Sequence, residues 1–383
     1  MNGAPLVERV RARLAAESLP PSRSAVAALV RSEAAGHGAL LDDTAVLSAV
    51  RAAVDELSGA GPLEALLREP EISDVLVNGP DEVWVDRGTG LERVDVAFPD
   101  DDAVRRLAVR LAAVAGRRLD DAAPWVDAGL PDGTRLHAVL PPVSTRGTCL
   151  SLRVLRRCAL GLPDLLARGA LPGESAVLLP GVVAARLAFL VTGGTGSGKS
   201  TLLSALLGLV DPGERIVLCE DAPELAPAHP HVVGLLTRPP NVEGVGAVGL
   251  RDLVRQALRM RPDRLVVGEV RGAEVVDLLA ALNTGHEGGC GTLHANRPAE
   301  VPARLEALGT AAGMERAAVH GQTAAALDVV VHLRRVAGVR AVAELGVVHR
   351  AGNGVVVAPA WRADGGACPG RGRLDELLAG SGR

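Results

Sequence analysis

The stretch from Leu187 to Val210, LAFLVTGGTGSGKSTLLSALLGLV, most constrains what this chain can fold into. Apolar residues precede its glycines and follow them, an order that predicts a buried strand, a loop and a helix. Gly193 to Ser200 spell the P-loop pattern G-x-x-x-x-G-K-S, which requires this strand–loop–helix context. The sequence therefore predicts an α/β fold in which a parallel sheet presents the loop at the carboxyl ends of its strands.

The loop residues also predict a binding site for the phosphates of a nucleotide, and by themselves they leave a motor, a transporter subunit, a kinase or a G protein open. Glycine allows close turns, so that backbone N–H groups can surround phosphate oxygens. Lys199 is the only lysine among 41 basic residues, which indicates that this position needs a compact ammonium at the β- and γ-phosphates. The Ser200 hydroxyl is expected to bind Mg²⁺. The predicted nucleotide-binding residues are Gly193, Gly194, Thr195, Gly196, Ser197, Gly198, Lys199, Ser200 and Thr201.

Composition argues against several other classes of protein. The net charge of −4 and an aromatic content of 1% argue against nucleic acid as a partner, since there is neither a basic excess nor a stacking platform. The five cysteines form no C-x-x-C pair, which argues against a disulfide framework and a zinc site. We find neither a signal peptide nor an apolar run of about 18 residues. The sequence predicts a cytoplasmic protein that is at most peripheral to the inner face of the cell membrane.

Changes in texture along the 383 residues predict several parts. The clearest N-terminal helix follows Asp43, after a break at residues 20–22. The predicted parts are an N-terminal helical segment at 1–60, an α+β domain at 61–157, a linker at 158–173, an ATPase domain at 174–350 and a poorly ordered tail at 351–383. In the ATPase domain we predict strands at 187–192, 215–220, 264–269 and 290–294, helices at 199–210, 249–260, 272–283 and 298–308, and a hairpin over 329–347.

Acidic residues stand at the ends of two predicted strands of this domain. Glu220 and Asp221 end the run RIVLCED, where a carboxylate could orient and deprotonate an attacking water. Glu269 follows a short apolar strand, as in a Walker B motif, and we expect it to meet Mg²⁺ through a water molecule. Solvated acids at the ends of strands are the alternative in both cases.

His286 and His294 lie in the glycine-rich segment TGHEGGCGTLHAN. Their spacing of eight residues and the absence of a nearby cysteine or carboxylate pair make a zinc site a weak interpretation. One imidazole could instead contact the γ-phosphate, or both could be ordinary loop histidines.

Five motifs in this order and spacing resemble the secretion ATPases of type II and type IV systems. Within that family the chain looks most like the TadA/CpaF-like ATPases of Flp/Tad pilus assembly, over residues 61–347. The motifs are GGTGSGKST, EDAPEL, HPHVVGLLTRPPNVEG, LRMRPDRLVVGEVRG and TGHEGGCGTLHAN, supported upstream by GPLEALLREPEISDVLVNGPDEVWVDRG and VDAGLPDGTRLHAVLPP.

The resemblance implies a RecA-like P-loop NTPase domain with a smaller N-terminal α+β domain. It places Glu220 in an Asp box, Glu269 in the Walker B motif, and His286 and His294 in a His box. GGCG departs from the family's usual His box, which carries a serine and bulkier residues there. We take Glu220 as the general base and place Glu269 near Mg²⁺.

The resemblance further implies a homo-hexameric ring in which arginines of a neighbour's N-terminal domain reach the phosphates. Arg135 and Arg153 are the candidates, with Arg146 a weaker one. Arg259 and Arg261 are alternatives from the ATPase domain itself.

The expected function is an Mg²⁺-dependent ATPase motor that powers pilus assembly or secretion and docks on an inner-membrane platform protein. The alternative is a conjugative or DNA-translocating ATPase of the same superfamily. A GTP-dependent switch is disfavoured because its N-K-x-D motif would need a second lysine. An ABC ATPase is disfavoured because we find no LSGGQ-like signature. A ring subunit that binds ATP without turnover is a further alternative, against which the two glutamates argue.

Overall fold

A computed structural model describes residues 9–380 of the chain, apart from 11, 15, 18–22, 37–42, 58, 89, 155–159, 242, 337 and 338. The chain divides into two compact units, Met1–Leu155 and Arg156–Arg383. The predicted helix break at 20–22 and the predicted boundary at 157–158 lie outside the described residues.

The first unit has helical residues at 9, 10, 12–14 and 16 and then two helices, α1 (Arg23–Gly36) and α2 (Asp43–Leu57). The second of these helices starts where the sequence predicts. The apolar faces of both helices form a small cluster with Val10 and Leu14 that includes Val26, Val30 and Ala53. A single turn, Gly61–Leu63, and the short helix α3 (Glu64–Leu67) lead into a sheet.

That sheet has six antiparallel strands in the order β3-β2-β1-β6-β5-β4. One face packs on helix α4 (Asp101–Val114), which the Asp100 carboxylate caps by accepting a hydrogen bond from the N–H of Ala103 at 2.7 Å. The sequence did not predict β4, because only Val126 and Ala128 of its five residues are buried. The strand bounds are β1 Asp74–Val77, β2 Val83–Asp86, β3 Leu91–Val94, β4 Trp125–Gly129, β5 Arg135–Val139 and β6 Cys149–Arg153.

The second unit is built on an eight-stranded sheet in the order β14-β13-β12-β7-β11-β10-β8-β9. Six neighbouring strands are parallel to one another, namely β12, β7, β11, β10, β8 and β9. Strands β13 and β14 extend the sheet beyond β12 as antiparallel strands. The strand bounds are β7 Phe189–Thr192, β8 Ile216–Glu220, β9 Val232–Leu236, β10 Arg264–Val270, β11 Cys290–Leu293, β12 Val329–Val336, β13 Val339–Ala351 and β14 Gly354–Arg362.

Helices cover both faces of this sheet. Leu203 of α7 packs with Leu218 on one face, and Leu253 of α8 packs with Val217 on the other, because neighbouring residues of a strand point to opposite faces. The helix bounds are α5 Leu162–Ala167, α6 Ser175–Ala184, α7 Lys199–Leu207, α8 Leu250–Ala257, α9 Glu274–Leu282, α10 Val301–Ala311, α11 Arg316–Ala326 and α12 Arg371–Leu378, with a single turn at Pro298–Glu300. The predicted α/β architecture is confirmed.

The predicted elements of this unit are all present in the structure. The sequence did not predict the helix α6, the strand β9 or the helix α11. Strand β9 lies at the edge of the sheet, and its residues are only half-buried or exposed.

The prediction of a poorly ordered tail over 351–383 is wrong for the described residues. Strand β14 pairs with β13 along its length, and Leu374 of α12 is fully buried in the same core as Trp361. The glycine, alanine and arginine content of this segment concealed a few well-placed apolar residues, and those residues hold it on the sheet.

Candidate functional site

Four neighbouring parallel strands of the second sheet carry several of the predicted site residues at their carboxyl ends. Thr192 at the end of β7 pairs with Leu293 at the end of β11. In the next two strands, Val267 of β10 pairs with Cys219 of β8. The residues that follow these pairs, including the P-loop, therefore lie at the carboxyl ends of the strands, where doubly wound sheets bind ligands.

The P-loop turns through three glycines with positive φ, Gly193 at 147°, Gly196 at 69° and Gly198 at 96°. A Cβ on Gly193 would lie 2.6 Å from both the Leu333 carbonyl oxygen and Ser197 Oγ, so no other residue fits there. Among the described residues, Ser197 Oγ has no hydrogen-bond partner although its side chain is buried. This narrow loop and its unsatisfied hydroxyl fit a bound phosphate group.

Lys199 is buried against this loop. Its Nζ donates hydrogen bonds to the carbonyl oxygens of Gly193 at 3.1 Å and Gly194 at 3.0 Å. Burial lowers the pKa of Lys199, while the carboxylates of Glu269 and Glu224 act in the opposite direction. An ammonium whose burial is only partly compensated favours an anionic ligand beside it.

His294 connects this lysine to Glu269. Lys199 Nζ lies 3.5 Å from both ring nitrogens of His294, and His294 Nε2 lies 2.6 Å from Glu269 Oε1. Thr292 Oγ1 donates to the Gly268 carbonyl oxygen at 2.6 Å and so fixes strand β11 beside β10. The structure thus places Lys199, His294 and Glu269 in one continuous chain of contacts.

Glu220 lies under the site with its carboxylate largely occupied. Its side chain is 4% exposed, and its Oε1 accepts hydrogen bonds from the N–H groups of Glu224 at 3.0 Å and Leu225 at 2.9 Å. It also packs against Gly268, where a Cβ would lie 2.8 Å from Glu220 Cγ. These contacts describe a residue that holds the loop after β8 in place, and they do not favour the predicted role of general base.

Glu224 is the acid that the loop presents to the P-loop, and our sequence reasoning missed it. Ser200 Oγ donates a hydrogen bond to Glu224 Oε2 at 2.9 Å, and the Glu224 side chain is exposed. The predicted magnesium ligand Ser200 therefore has Glu224 as its partner. Glu224 stands in the same EDAPE run as Glu220, so its proximity to a strand end was the available signal.

The structure does not bring His286 to the other predicted residues. Cys290 begins β11 and pairs with Phe189 at the start of β7. His286 precedes Cys290 and therefore lies at the amino ends of these strands, opposite the P-loop. Its Nδ1 lies 3.3 Å from the Ala281 carbonyl oxygen. Only His294 of the two predicted histidines lies at the P-loop, because β11 separates them.

Arg135 and Arg153 belong to the first unit, where they are direct cross-strand neighbours on β5 and β6. Arg153 Nε pairs with Asp74 at 2.9 Å, and Arg135 Nη2 lies 3.5 Å from Asp127. Both guanidinium groups lie on the face of the sheet opposite the buried core, and Arg153 is 55% exposed.

The alternative arginines, Arg259 and Arg261, are exposed and precede β10. Arg264 begins that strand and pairs with Ile216 at the start of β8. Arg259 and Arg261 therefore lie at the amino ends of the strands, opposite the P-loop. Within the part of the chain that the structure describes, no group of three or more His, Cys, Asp or Glu residues could hold a metal ion, and no helix is long and apolar enough to cross a membrane.

This sheet and loop define the class of the protein, a RecA-like P-loop NTPase fold with a smaller α+β domain before it. Residues 56–373 match the family model described as "Type II/IV secretion system protein", and the chain belongs to that family.

Two relatives and two solved structures illustrate the relationship. A putative conjugal transfer protein of Mycobacterium tuberculosis is 59% identical over 346 residues, covering 88% of this chain and 98% of the relative. The type IV secretion system protein PtlH homolog of Bordetella bronchiseptica is 37% identical over 257 residues, covering 61% and 75%. The pilus retraction motor PilT with bound ADP aligns at TM-score 0.51 and 21% identity, covering 80% and 82%. The ATPase DotB of Yersinia pseudotuberculosis aligns at TM-score 0.52 and 16% identity, covering 83% and 82%. At these identities the structures support the fold alone.

Proposed function

We propose that this protein is an Mg²⁺-dependent ATPase that powers a secretion machine as a ring motor. The observation that carries the proposal is the convergence of two contacts at the P-loop edge, the chain Lys199–His294–Glu269 and the pair Ser200–Glu224. A lysine, a hydroxyl and acidic groups around a phosphate loop are the parts that phosphoryl transfer to water requires.

In this proposal the backbone N–H groups from Gly194 to Ser200 and the Lys199 ammonium hold the phosphates. Ser200 and, through water, Glu269 would hold Mg²⁺, which when bound neutralises charge that develops on the phosphate oxygens. Glu224 is proposed as the general base because its carboxylate stands at the hydroxyl of Ser200 and is open to water.

His294 is proposed to report the state of the γ-phosphate. Its ring lies between Lys199 Nζ and the Glu269 carboxylate, so a ligand that moves the lysine would change both contacts. Glu220 is proposed as a positioning residue, since its two hydrogen bonds fix the backbone that carries Glu224.

A homo-hexameric ring with Arg135 and Arg153 reaching a neighbour's phosphates remains our proposal for the active assembly. What supports it is the pairing of two guanidinium groups on one solvent-facing side of a sheet, at directly opposed positions. Arginine suits this role because its fixed fork can bind two phosphate oxygens at once.

The proposed process is transport or pilus assembly across the cell envelope, with an inner-membrane platform protein as the partner at the cytoplasmic face. Membership of the Flp/Tad pilus-assembly branch belongs to the proposal and rests on the sequence motifs. The Mycobacterium tuberculosis relative, a putative conjugal transfer protein, favours a DNA-translocating motor as the second candidate. The net charge of −4 and the aromatic content of 1% weigh against that candidate.

The test compares turnover of ATP in the wild type, Lys199→Ala, Glu224→Gln and a matched control, Glu315→Gln. Glu315 is an exposed carboxylate between α10 and α11, so its substitution makes the same change of charge elsewhere. We expect turnover to be lost in the first two variants and kept in the control. Equal turnover in all four proteins would refute the proposal. Stimulation of the wild type by DNA that weakens steeply with salt would instead favour the second candidate.

A further inference from the structure

The hairpin of β12 and β13 extends past the carboxyl end of β7, where the P-loop begins. Strand β12 pairs with β7 only from Val329 to His332, and β12 continues to Val336. The Leu333 carbonyl oxygen lies 2.6 Å from the position of a Cβ on Gly193, so the backbone of the hairpin touches the loop. The far half of the hairpin therefore stands beside the P-loop, on the flank away from β11.

Arg340 lies on the side of the hairpin that faces the loop. In the register of the two strands Leu333 pairs with Val342 and Arg335 pairs with Arg340, so these four side chains share one face. Leu333 and Val342 are buried in the same core as Leu202 of the P-loop helix. Arg340 Cδ lies 3.8 Å from the position of a Cβ on Gly198, the residue before Lys199.

The charge of Arg340 has no counter-charge among the residues that the structure describes. Arg340 is exposed, and its side chain makes no ion pair or hydrogen bond with any of the described residues. Arg335 stands directly opposite it, and like charges at directly opposed positions destabilise a strand pair. The acids of the site lie on the other side of β7, beyond β11. Glu224 belongs to the segment that follows β8, and Glu269 belongs to β10. An anion bound at the loop would supply the missing partner.

We infer that Arg340 binds the nucleotide through its α-phosphate. This inference rests on the proposed function and names a further binding residue for the same site. The acids and His294 lie on the β11 side of the P-loop, which is therefore the side of the γ-phosphate. A nucleotide that lies along the loop turns its nucleoside end toward the other flank, where Arg340 is the cation at Gly198. A contact at that end is common to ATP and ADP.

The experiment titrates the full chain with fluorescent mant-ATP and mant-ADP. We expect Arg340→Ala to weaken both by about tenfold in Kd, the effect of losing one charge-assisted hydrogen bond to phosphate. Arg340→Lys keeps the charge and is expected to lose less. The matched control is Arg334→Ala, because Arg334 is exposed on the same hairpin and pairs with Ala341 on the opposite face. Its affinities are expected to equal those of the wild type.

Any other result contradicts either this inference or the proposed function. Wild-type affinity in Arg340→Ala, or an equal loss in Arg334→Ala, refutes the inference and leaves the proposed function intact. A loss for mant-ATP without a loss for mant-ADP would assign the contact to the γ-phosphate and so refute the α-phosphate assignment. Failure of the wild type to bind either probe, or full binding by Lys199→Ala, refutes the proposed function itself. Circular dichroism of each variant against the wild type identifies any loss of affinity that comes from unfolding.

Discussion

Replacement of Glu220 by alanine removes the acceptor of two backbone N–H groups in the second unit. The N–H of Leu225 is buried and that of Glu224 is partly buried, and both donate to Glu220 Oε1. A buried donor left without a partner costs about 1–3 kcal/mol, so we expect Glu220→Ala to lower the free energy of unfolding by about 2–4 kcal/mol. The partial exposure of the second donor keeps the sum below the upper limit.

Glu220→Gln tests whether the loss comes from these hydrogen bonds. Its amide oxygen can still accept from both N–H groups, so we expect a cost of about 1 kcal/mol or less. The assay is urea unfolding of the full chain, followed by pulsed alkylation and mass spectrometry of Cys219 and Cys290. Both thiols are buried in the second unit, and burial raises the pKa of each to about 12, so they react only when this unit opens.

Two results would refute this reasoning. Equal midpoints for the alanine variant and the wild type would mean that the two hydrogen bonds do not hold the loop. A glutamine variant that keeps its stability but loses turnover as completely as Glu224→Gln would return the role of general base to Glu220, as the sequence motif first suggested.

Three further predictions concern stability and the loop. Gly193→Ala should abolish nucleotide binding in the mant-ADP titration, since its Cβ would clash with the Leu333 carbonyl oxygen and Ser197 Oγ at 2.6 Å; unchanged binding would show that the loop can open. Leu374→Ala should cost about 2–5 kcal/mol of unfolding free energy in urea because Leu374 is fully buried, whereas no cost would restore the prediction of a loose tail. Burial lowers the pKa of His332 below its ordinary value of 6.5, so the unfolded chain takes up a proton first and stability should fall as the pH drops below 6.5; His332→Gln should lose this part of the pH dependence in thermal melts, and an unchanged profile would contradict it.

Local patterns with a strict physical requirement could be predicted from the sequence. Lys199 and the glycines before it specify a turn that only a strand and a helix can flank, so the sheet and the loop followed from them. Glu269 was also predictable, because a buried apolar strand that ends in an acid places that acid at the sheet edge.

Contacts that depend on how loops fold could not be predicted. His286 and His294 belong to one motif, but β11 lies between them and carries the chain from the amino ends of the parallel strands to their carboxyl ends. Glu224 reaches Ser200 because the hydrogen bonds of Glu220 turn the intervening backbone, and no periodicity in the sequence records that turn. Arg340 is one of 40 arginines, and only the register of the hairpin places it at Gly198.

The most direct test of the account is the rate of ATP hydrolysis with Mg²⁺ by the wild type and Glu224→Gln, measured against protein concentration with the particle mass from light scattering. We predict a wild-type rate that rises as the chain assembles into a ring of about six subunits. We predict that Glu224→Gln assembles equally but turns over about 10²–10⁴-fold more slowly, the range for loss of a general base. Wild-type turnover in Glu224→Gln, or full activity in a monomer, would contradict the account.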